Sequence, residues 1–234
     1  QFHSIDVAME LFHTEYEKYP PSTPEDENND DYCGAMKLAE AMVGQDLIGF
    51  HPDSRFVLDD TLGDDQDDLY RLDPANPDYQ QNIQKRKGPY IQLENANARK
   101  LKNLYSNPGP FNEETFVLCD VFSNVSLLDP DNENISGNAG MPILYYRADE
   151  SATYYPETPG QISTRTSGRD QIYYHQDNTE LVERGKPWLG GQEHTMDPAQ
   201  SDPNGPIRFY EMTRNENITS TVRPVRADSY ILQS

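Results

Sequence analysis

The first eighteen residues have the clearest periodic pattern in the chain, and this pattern restricts the fold most. Apolar side chains recur there at steps of three and four residues, with acidic ones mostly between them, which predicts an amphipathic helix from Phe2 to Lys18. The apolar positions are Ile5, Ala8, Met9, Leu11, Phe12, Tyr16 and Tyr19. Tyr19-Pro20-Pro21 ends the helix, because a residue before proline is disfavoured in the helical region. Such a helix needs an apolar surface, which the rest of the chain must supply.

The later segments predict short elements of both kinds. A second helix is predicted over residues 31–43, capped by Asp30 or Asp31 and ended by Gly44, and its apolar face is Ala35, Leu38, Ala39, Met42 and Val43. Residues 115–147 contain two β-branched and aromatic runs, Thr115–Phe122 and Met141–Arg147, which predict paired strands. Further predictions are helices at Glu94–Tyr105, Asn178–Arg184 and Ile207–Met212 and a strand at Tyr230–Leu232. This order predicts one α+β domain.

Two long stretches interrupt that pattern, and we interpret them as insertions. Residues 59–110 form a charged insertion, and residues 149–227 form a loop-rich one whose first part, to about Gln171, is too polar to belong to a core. The terminal strand then lies within residues 228–234. Low aliphatic content with high charge favours disorder, but fifteen tyrosines and the periodic segments favour a folded, thinly cored protein.

The net charge excludes several kinds of partner. Forty acidic and nineteen basic residues give a formal charge of −21. No net positive field exists to displace counterions from phosphates, so the chain is not a nucleic-acid binder. An anionic membrane surface is disfavoured for the same reason. The chain contains no run of about 20 apolar residues and no signal-peptide core.

Basic residues are concentrated between positions 85 and 102. Lys85, Arg86 and Lys87 begin this segment, and Arg99, Lys100 and Lys102 end it. One interpretation is a docking patch for an acidic neighbour, in which Lys85, Arg86 and Lys87 contact the partner. The other, which we favour, is an internal counterweight to the acidic loops or a solvated face.

Calcium is the ion that the acidic segments fit best, because they offer clustered oxygen ligands. Asp129, Asp131 and Glu133 alternate as at the start of a calcium loop. The segment is not an EF-hand, since Asn134 replaces the required glycine and Gly140 replaces the bidentate glutamate. Asp64 and Asp65, within the aspartate-rich residues 59–68, are the second candidate. A solvated acidic loop is the favoured alternative for both.

Other chemistry-bearing residues lack a defining pattern. The five histidines show no metal-ligand spacing and are interpreted as solvated surface residues. Cys33 and Cys119 are either one disulfide or two buried thiols. Cys33 lies near a helix start, where its thiol pKa could be lowered, but a catalytic cysteine also needs a placed histidine.

Two tyrosine-containing segments leave a second alternative open. Residues 151–155 and 172–175 interleave tyrosine with polar side chains, as a sugar-binding surface does. The favoured interpretation is that loops on a small core use tyrosine for buried area. A third class, a carboxylate-dependent hydrolase, would need two carboxylates that converge in one cleft.

Several blocks together resemble the large bacterial pilin-like proteins related to the major pseudopilin of type II secretion. The blocks are EKYPPS, DYCGAMKLAEAMVGQDLIGFHPDSRF, KRKGPYIQLENANARKL, FVLCDVF, MPILYYRAD and RADSYILQS. The best match is to the long, inserted variants that we associate with planctomycete-type bacteria. The blocks cover less than half of the chain.

The resemblance implies a pilin-like fold, with the N-terminal helix packed on a small antiparallel sheet, and a structural, non-enzymatic role in a type II secretion pseudopilus or type IV pilus-like filament. In this family an N-terminal hydrophobic helix anchors the subunit in the inner membrane and later forms the filament core. Residues 2–18 would match its periplasmic half, and the hydrophobic half is not in this chain.

The implied location is periplasmic or at the cell surface, and the implied partners are copies of this chain or other pilin-like subunits. The family's calcium loop follows the terminal strand, beyond Ser234, so the resemblance places that site on no residue here. The alternative function is a cell-surface glycan-binding or adhesive domain on the same scaffold.

Overall fold

The structure is a computed structural model that describes residues 1–58, 69–70, 74–75, 78–121, 125–128, 135–164, 170–187, 194, 196 and 205–234. Its helices are α1 Phe2–Tyr16, α2 Gly34–Val43, α3 Tyr79–Lys85, α4 Leu93–Ala96, α5 Leu101–Leu104, α6 Thr179–Glu183 and α7 Gly205–Thr213. Short 3-10 helices span Pro159–Gln161 and His175–Asn178. Its strands are β1 Ala98–Lys100, β2 Phe116–Leu118, β3 Val125–Leu128, β4 Ile135–Ala139, β5 Leu144–Arg147 and β6 Tyr230–Gln233. They pair antiparallel as β1–β2, β3–β4 and β5–β6. The predicted α+β class is confirmed.

Helix α2 is the centre of the core. All ten of its residues are buried, including Lys37 and Glu40, and it packs against α1, β2 and β5. The prediction of a single apolar face is therefore wrong for this helix. It also begins later than predicted, with Cys33 rather than an aspartate at the N-cap position. A distant residue caps it instead, because Asn178 Oδ1 accepts a hydrogen bond from the Ala35 N–H at 2.9 Å.

Helix α1 confirms the predicted amphipathic helix, with two differences. It ends at Tyr16, because Glu17 adopts a left-handed conformation with φ of 56°. Ile5, Ala8, Met9 and Phe12 are buried as predicted, whereas the Leu11 side chain points outward. The main support of α1 is α2 rather than a sheet, and side chains connect α1 to β6.

The predicted helix at Glu94–Tyr105 is wrong, because the chain forms α4, then β1, then α5 there. Asn97 breaks the helix with a left-handed φ of 47°. Its side-chain amide donates to the carbonyl oxygens of Cys119 at 3.1 Å and Asp120 at 2.8 Å. These bonds align residues 98–100 with β2, so the backbone groups are satisfied in a ladder instead of a helix.

The predicted strand pair is only partly present. Cys119 and Pro142 form an antiparallel bridge, and the Ile143 N–H donates to the Leu118 carbonyl at 2.7 Å. Beyond that point the second segment leaves its predicted partner and pairs as β5 with β6, the predicted terminal strand. Both predicted late helices are present as α6 and α7, with slightly different bounds.

The segment at residues 149–171, predicted to be too polar for a core, contributes to it. Ala152 and Tyr155 are buried, and Gln171 is fully buried. Gln171 Nε2 donates to the Ser163 carbonyl at 3.0 Å, so its amide is satisfied without water. The charged segment at residues 59–110 likewise contributes Ile91, Leu101 and Leu104 to the core.

Replacing Gly34 with alanine is expected to destabilise the protein by about 2–3 kcal/mol, because a methyl group there overpacks the contact between α2 and β5. A Cβ atom at Gly34 would lie 2.3 Å from the Tyr145 carbonyl oxygen, so backbone must move. Denaturant unfolding measures the loss. Gly160→Ala is the matched control, since a Cβ atom there meets nothing within 4 Å. Equal stabilities of the two variants would contradict the close packing.

Candidate functional site

The outward face of α1 is the surface that the filament hypothesis requires, and it has two exposed apolar side chains. Val7 is 48% exposed and Leu11 is 53% exposed. Residues four apart lie one above the other on the same face of a helix, so these two side chains form one patch. We call Val7 and Leu11 the α1 patch. A single exposed apolar residue needs no explanation, but a pair on one face provides a small contact surface.

The orientation of α1 is set by a polar contact near its N-terminus. Asp6 Oδ1 accepts hydrogen bonds from Arg226 Nη1 at 3.0 Å and from the Tyr230 hydroxyl at 2.7 Å. Burial acts to raise the pKa of Asp6, but these hydrogen bonds outweigh it and hold the pKa below its usual value. An ionised Asp6 therefore connects α1 to β6 at neutral pH.

Aromatic packing holds the other half of the helix. The Phe12 ring lies 5.1 Å from the Phe50 ring and 5.7 Å from the Tyr90 ring, both in edge-on geometry. The Tyr90 hydroxyl donates to Glu15 Oε2, one turn further along α1. Contacts at both ends therefore keep the same face buried and leave the α1 patch in solvent.

The three basic residues proposed as a docking patch have intramolecular partners. Lys85 Nζ lies 2.9 Å from Asp53 Oδ2, and Lys87 Nζ lies 3.4 Å from Glu15 Oε1. These two lysines are partly exposed, and docking by them stays a prediction.

Arg86 is unavailable for docking, because its side chain is only 4% exposed. It donates to Asp46 Oδ1 at 3.0 Å and to the Leu69 carbonyl at 2.7 Å. Its guanidinium also lies 4.3 Å from the centre of the Tyr70 ring. Arg86 therefore fits the favoured interpretation, in which a basic residue of this segment neutralises an acidic residue of the same chain.

Sequence reasoning missed the most unusual polar group, the buried carboxylate of Glu40. Oε2 accepts hydrogen bonds from the Tyr32 hydroxyl at 2.8 Å and the Gln45 amide at 3.2 Å. Oε1 accepts from the Tyr70 hydroxyl at 2.8 Å and from Ser54. Burial raises the pKa of Glu40, and the four donors oppose that rise. One feature of the sequence indicated this burial, because Glu40 lies three or four residues away from core residues of α2.

Lys37, also on α2, is a second buried charge that the sequence did not reveal. Its Nζ donates to the Thr23 carbonyl at 2.9 Å, the Thr23 hydroxyl at 2.6 Å and the Glu25 carbonyl at 2.8 Å. Burial lowers its pKa to about 8. All three ammonium protons are used, so Lys37 holds the segment that follows α1 against the core.

The predicted calcium candidates Asp64, Asp65, Asp129, Asp131 and Glu133 lie outside the described residues. Within the described ranges, no group of three or more histidine, cysteine, aspartate or glutamate side chains converges to hold a metal ion. Calcium binding therefore stays a prediction.

Cys33 and Cys119 are two separate buried thiols, the second of the alternatives left open by the sequence. Burial raises the pKa of Cys33 to about 11 and also raises the pKa of Cys119. A thiol with a raised pKa is a poor nucleophile at neutral pH, so the position of Cys33 at a helix start does not activate it.

The prediction of solvated surface histidines is wrong for His51, which is fully buried. Its Nδ1 accepts a hydrogen bond from the Asp53 N–H at 3.2 Å. Burial also lowers the pKa of His175 to about 4, and the Tyr210 hydroxyl lies 3.5 Å from its Nδ1. Both rings pack in the protein rather than face solvent.

The tyrosine-containing segments are used mainly for packing, as favoured. Tyr155, Tyr173 and Tyr174 are buried. The Tyr155 hydroxyl donates to the Tyr210 carbonyl at 2.8 Å, and the Tyr174 hydroxyl accepts from the Gln171 N–H at 3.0 Å. These hydroxyls are turned inward, and sugar binding by the two segments stays an untested alternative.

Among the helices that the structure describes, none combines the length and the apolar character needed to cross a bilayer. A comparison of the chain with protein-family models, with curated proteins and with solved structures finds no match.

Proposed function

We propose that this chain is a structural, non-enzymatic subunit of a type II secretion pseudopilus or type IV pilus-like filament, with a pilin-like fold. The observation that supports it best is α1, a 15-residue helix that is buried on one side and has the α1 patch on the other. The sequence blocks that resemble pilin-like proteins support it independently. The proposed location is periplasmic or at the cell surface, after anchoring in the inner membrane by a preceding hydrophobic helix.

The geometry of α1 suits assembly by repeated contacts between different surfaces of identical subunits. Such contacts form an open helical filament when the rotation between subunits does not close a ring. The α1 patch offers one surface, and its orientation is set by Asp6, Phe12 and Glu15 rather than by a partner. The proposed partners are copies of this chain or other pilin-like subunits.

The two other function classes have less support. A glycan-binding domain would use exposed tyrosines, whereas Tyr155, Tyr173 and Tyr174 are buried. A carboxylate-dependent hydrolase would need carboxylates with open coordination, whereas both oxygens of Glu40 already accept two hydrogen bonds each.

Replacing both Val7 and Leu11 with aspartate in the full-length protein is expected to reduce its incorporation into filaments at least tenfold. Two charges on the α1 patch would have to be desolvated at each subunit contact. The yield of filament-bound subunit, relative to total subunit, measures the effect. Met212→Asp is the matched control, because Met212 is 66% exposed and lies on α7. Normal incorporation of the double variant would contradict the proposed role of α1.

The gene sequence upstream of Gln1 provides an independent test. We expect it to encode a short basic leader, a glycine before the cleavage point and about 20 apolar residues, enough to span a bilayer. A conventional signal peptide directly before Gln1 would refute the filament proposal.

A further inference from the structure

The segment that follows α2 contains a tight turn around the fully buried His51, and we call residues 51–54 the His51 turn. His51 Nδ1 accepts a hydrogen bond from the Asp53 N–H at 3.2 Å, and the His51 carbonyl accepts one from the Ser54 N–H at 2.9 Å. The His51 N–H donates to the Tyr70 hydroxyl at 3.1 Å. Nδ1 can accept the Asp53 N–H only while it has no proton, so the closed turn requires a neutral imidazole.

The surroundings of His51 oppose a positive charge on its ring. Burial lowers the pKa of His51 most, and the cations Arg86 and Lys85 lower it further. The Asp53 carboxylate and the Asn82 side chain act to raise this pKa, but they do not outweigh the other influences. Asp53 is also paired with Lys85, whose Nζ lies 2.9 Å from Oδ2. A protonated His51 would be a buried cation that has to share the Asp53 carboxylate with Lys85.

Two bulky residues on either side of the His51 turn have a strained backbone. Leu47 has φ of 65° and Phe56 has φ of 58°, in the left-handed region that residues with a large side chain rarely adopt. Such conformations persist only where the surrounding contacts hold them in place. The His51 turn lies between these two residues, so its opening would allow the strained backbone to relax.

The same segment supports the second half of α1 through two aromatic rings. The Phe50 ring packs edge-on against Phe12 at 5.1 Å and against Tyr16 at 5.2 Å. The Phe56 ring lies 5.3 Å from Phe50 and 6.5 Å from Phe12. Phe50 and Phe56 are both buried. Opening of this segment would therefore expose apolar surface and remove packing from beneath α1.

We propose that residues 47–56 form an acid-sensitive latch, in which protonation of His51 opens the His51 turn and loosens the packing of Phe50 and Phe56 against α1. At neutral pH the imidazole accepts the Asp53 N–H and the latch is closed. When a proton binds Nδ1, two donors face each other at this position, and the turn opens so that the imidazolium reaches water. The latch lies on the buried side of α1, so the inference does not depend on the proposed function.

Native-state hydrogen exchange of the whole protein, followed by NMR and corrected for intrinsic exchange rates, measures the equilibrium constant for opening at each amide. A solvated histidine titrates near about pH 6.5, so below that pH the open latch binds a proton that the closed latch excludes. Between pH 7 and pH 5 we expect the opening constant at the Asp53 and Ser54 amides to rise at least about tenfold. Low concentrations of urea should hardly change this local opening, whereas they should promote exchange of the core amide of Ala35, which requires global unfolding.

His51→Asn is the variant that separates the proton from the turn, because an asparagine oxygen accepts the N–H two residues further on but does not titrate. The increase at the Asp53 amide should fall below about twofold in His51→Asn, while His3→Asn, at an exposed position of α1, should retain it. An opening constant that does not rise in the unsubstituted protein, or a rise that persists in His51→Asn, would overturn the proposal. Equal urea dependence at Asp53 and Ala35 would indicate global unfolding and would also overturn it. The unsubstituted protein gives two of these outcomes even if His51→Asn does not fold.

Discussion

Titration to about pH 11 is expected to unfold this protein cooperatively, because its core contains many tyrosines that must stay protonated. Among the described tyrosines that are at most 6% exposed, nine have a hydroxyl pKa that is raised, chiefly by burial. They are Tyr32, Tyr70, Tyr105, Tyr145, Tyr146, Tyr155, Tyr173, Tyr210 and Tyr230. In the unfolded chain a tyrosine ionises near pH 10.

The sign of the effect follows from proton binding. Above about pH 10 the unfolded state has lost tyrosine protons that the native state retains, so the free energy of unfolding falls as the pH rises. At about pH 11 each buried tyrosine contributes roughly 1 kcal/mol of destabilisation, and nine contribute on the order of 10 kcal/mol. A whole domain has a stability of only about 5–15 kcal/mol. The destabilisation by the tyrosines at this pH is therefore as large as the stability of a typical domain.

The lowered pKa of Lys37 makes the free energy of unfolding rise with pH, opposite to the effect of the tyrosines, but it is a single group. Burial lowers its pKa to about 8, so the native state loses this proton before the unfolded state does. Its contribution to stability therefore rises with pH above about 8, until the unfolded lysine also titrates near 10.4. One lysine is worth at most a few kcal/mol, which does not offset nine tyrosines.

The measurement combines the ultraviolet absorbance of tyrosinate with far-ultraviolet circular dichroism. We expect both signals to change together, in one steep transition near pH 11. The control is the same titration in concentrated guanidinium chloride, where the tyrosines should ionise gradually near pH 10. Gradual ionisation of the native protein near pH 10, without loss of secondary structure, would contradict the burial of these hydroxyls.

Local pattern was enough to predict the elements that have one buried face. Residues 2–16 form a helix with Ile5, Ala8, Met9 and Phe12 inward, as the three- and four-residue spacing indicated. Leu11 fits the same spacing, yet its side chain is exposed. Periodicity defines a stripe on a helix, but the width of the stripe that is covered depends on the surface beneath it.

Elements that depend on distant contacts were not predictable. Residues 98–100 form a strand because Asn97 bonds to residues 119 and 120, a contact that no local pattern contains. The cap of α2 is Asn178, which lies 143 residues away from Ala35 along the chain. Residue spacing in the sequence predicts contacts within one helix or strand. The contacts of Asn97 and Asn178 join residues that are distant in the sequence, so only the tertiary fold brings them together.

The buried charges of α2 escaped prediction for a related reason. The predicted apolar face of α2 did not include Glu40 or Lys37, and charged residues are almost never fully buried unless they are paired. Their partners, Tyr32, Tyr70 and Thr23, come from outside the helix. The one sequence hint is that the apolar residues of α2 nearly surround it, which leaves little room for a solvated face.

Replacing Glu40 with leucine is expected to destabilise the protein by about 3–5 kcal/mol, because it removes the acceptor that four donors share, two of them the buried hydroxyls of Tyr32 and Tyr70. Gln45 keeps a second acceptor, the Val57 carbonyl at 2.8 Å. The Tyr32 hydroxyl has no second hydrogen bond among the described contacts, so it would be left unsatisfied. Denaturant unfolding measures the loss. Glu211→Leu, at an exposed position of α7, is the matched control and should change stability by less than about 0.5 kcal/mol.

A second substitution distinguishes two effects of Glu40→Leu, namely the unsatisfied Tyr32 hydroxyl and the removal of the buried carboxylate. Burial raises the pKa of Glu40, so the ionised carboxylate itself is unfavourable, and an apolar replacement removes that cost. Adding Tyr32→Phe to Glu40→Leu is therefore expected to recover about 1–2 kcal/mol, although Tyr32→Phe alone destabilises the native protein. Additive losses in this double-mutant cycle would show that the Tyr32 hydroxyl finds another partner, and a fully stable Glu40→Leu variant would show that the network contributes no net stability.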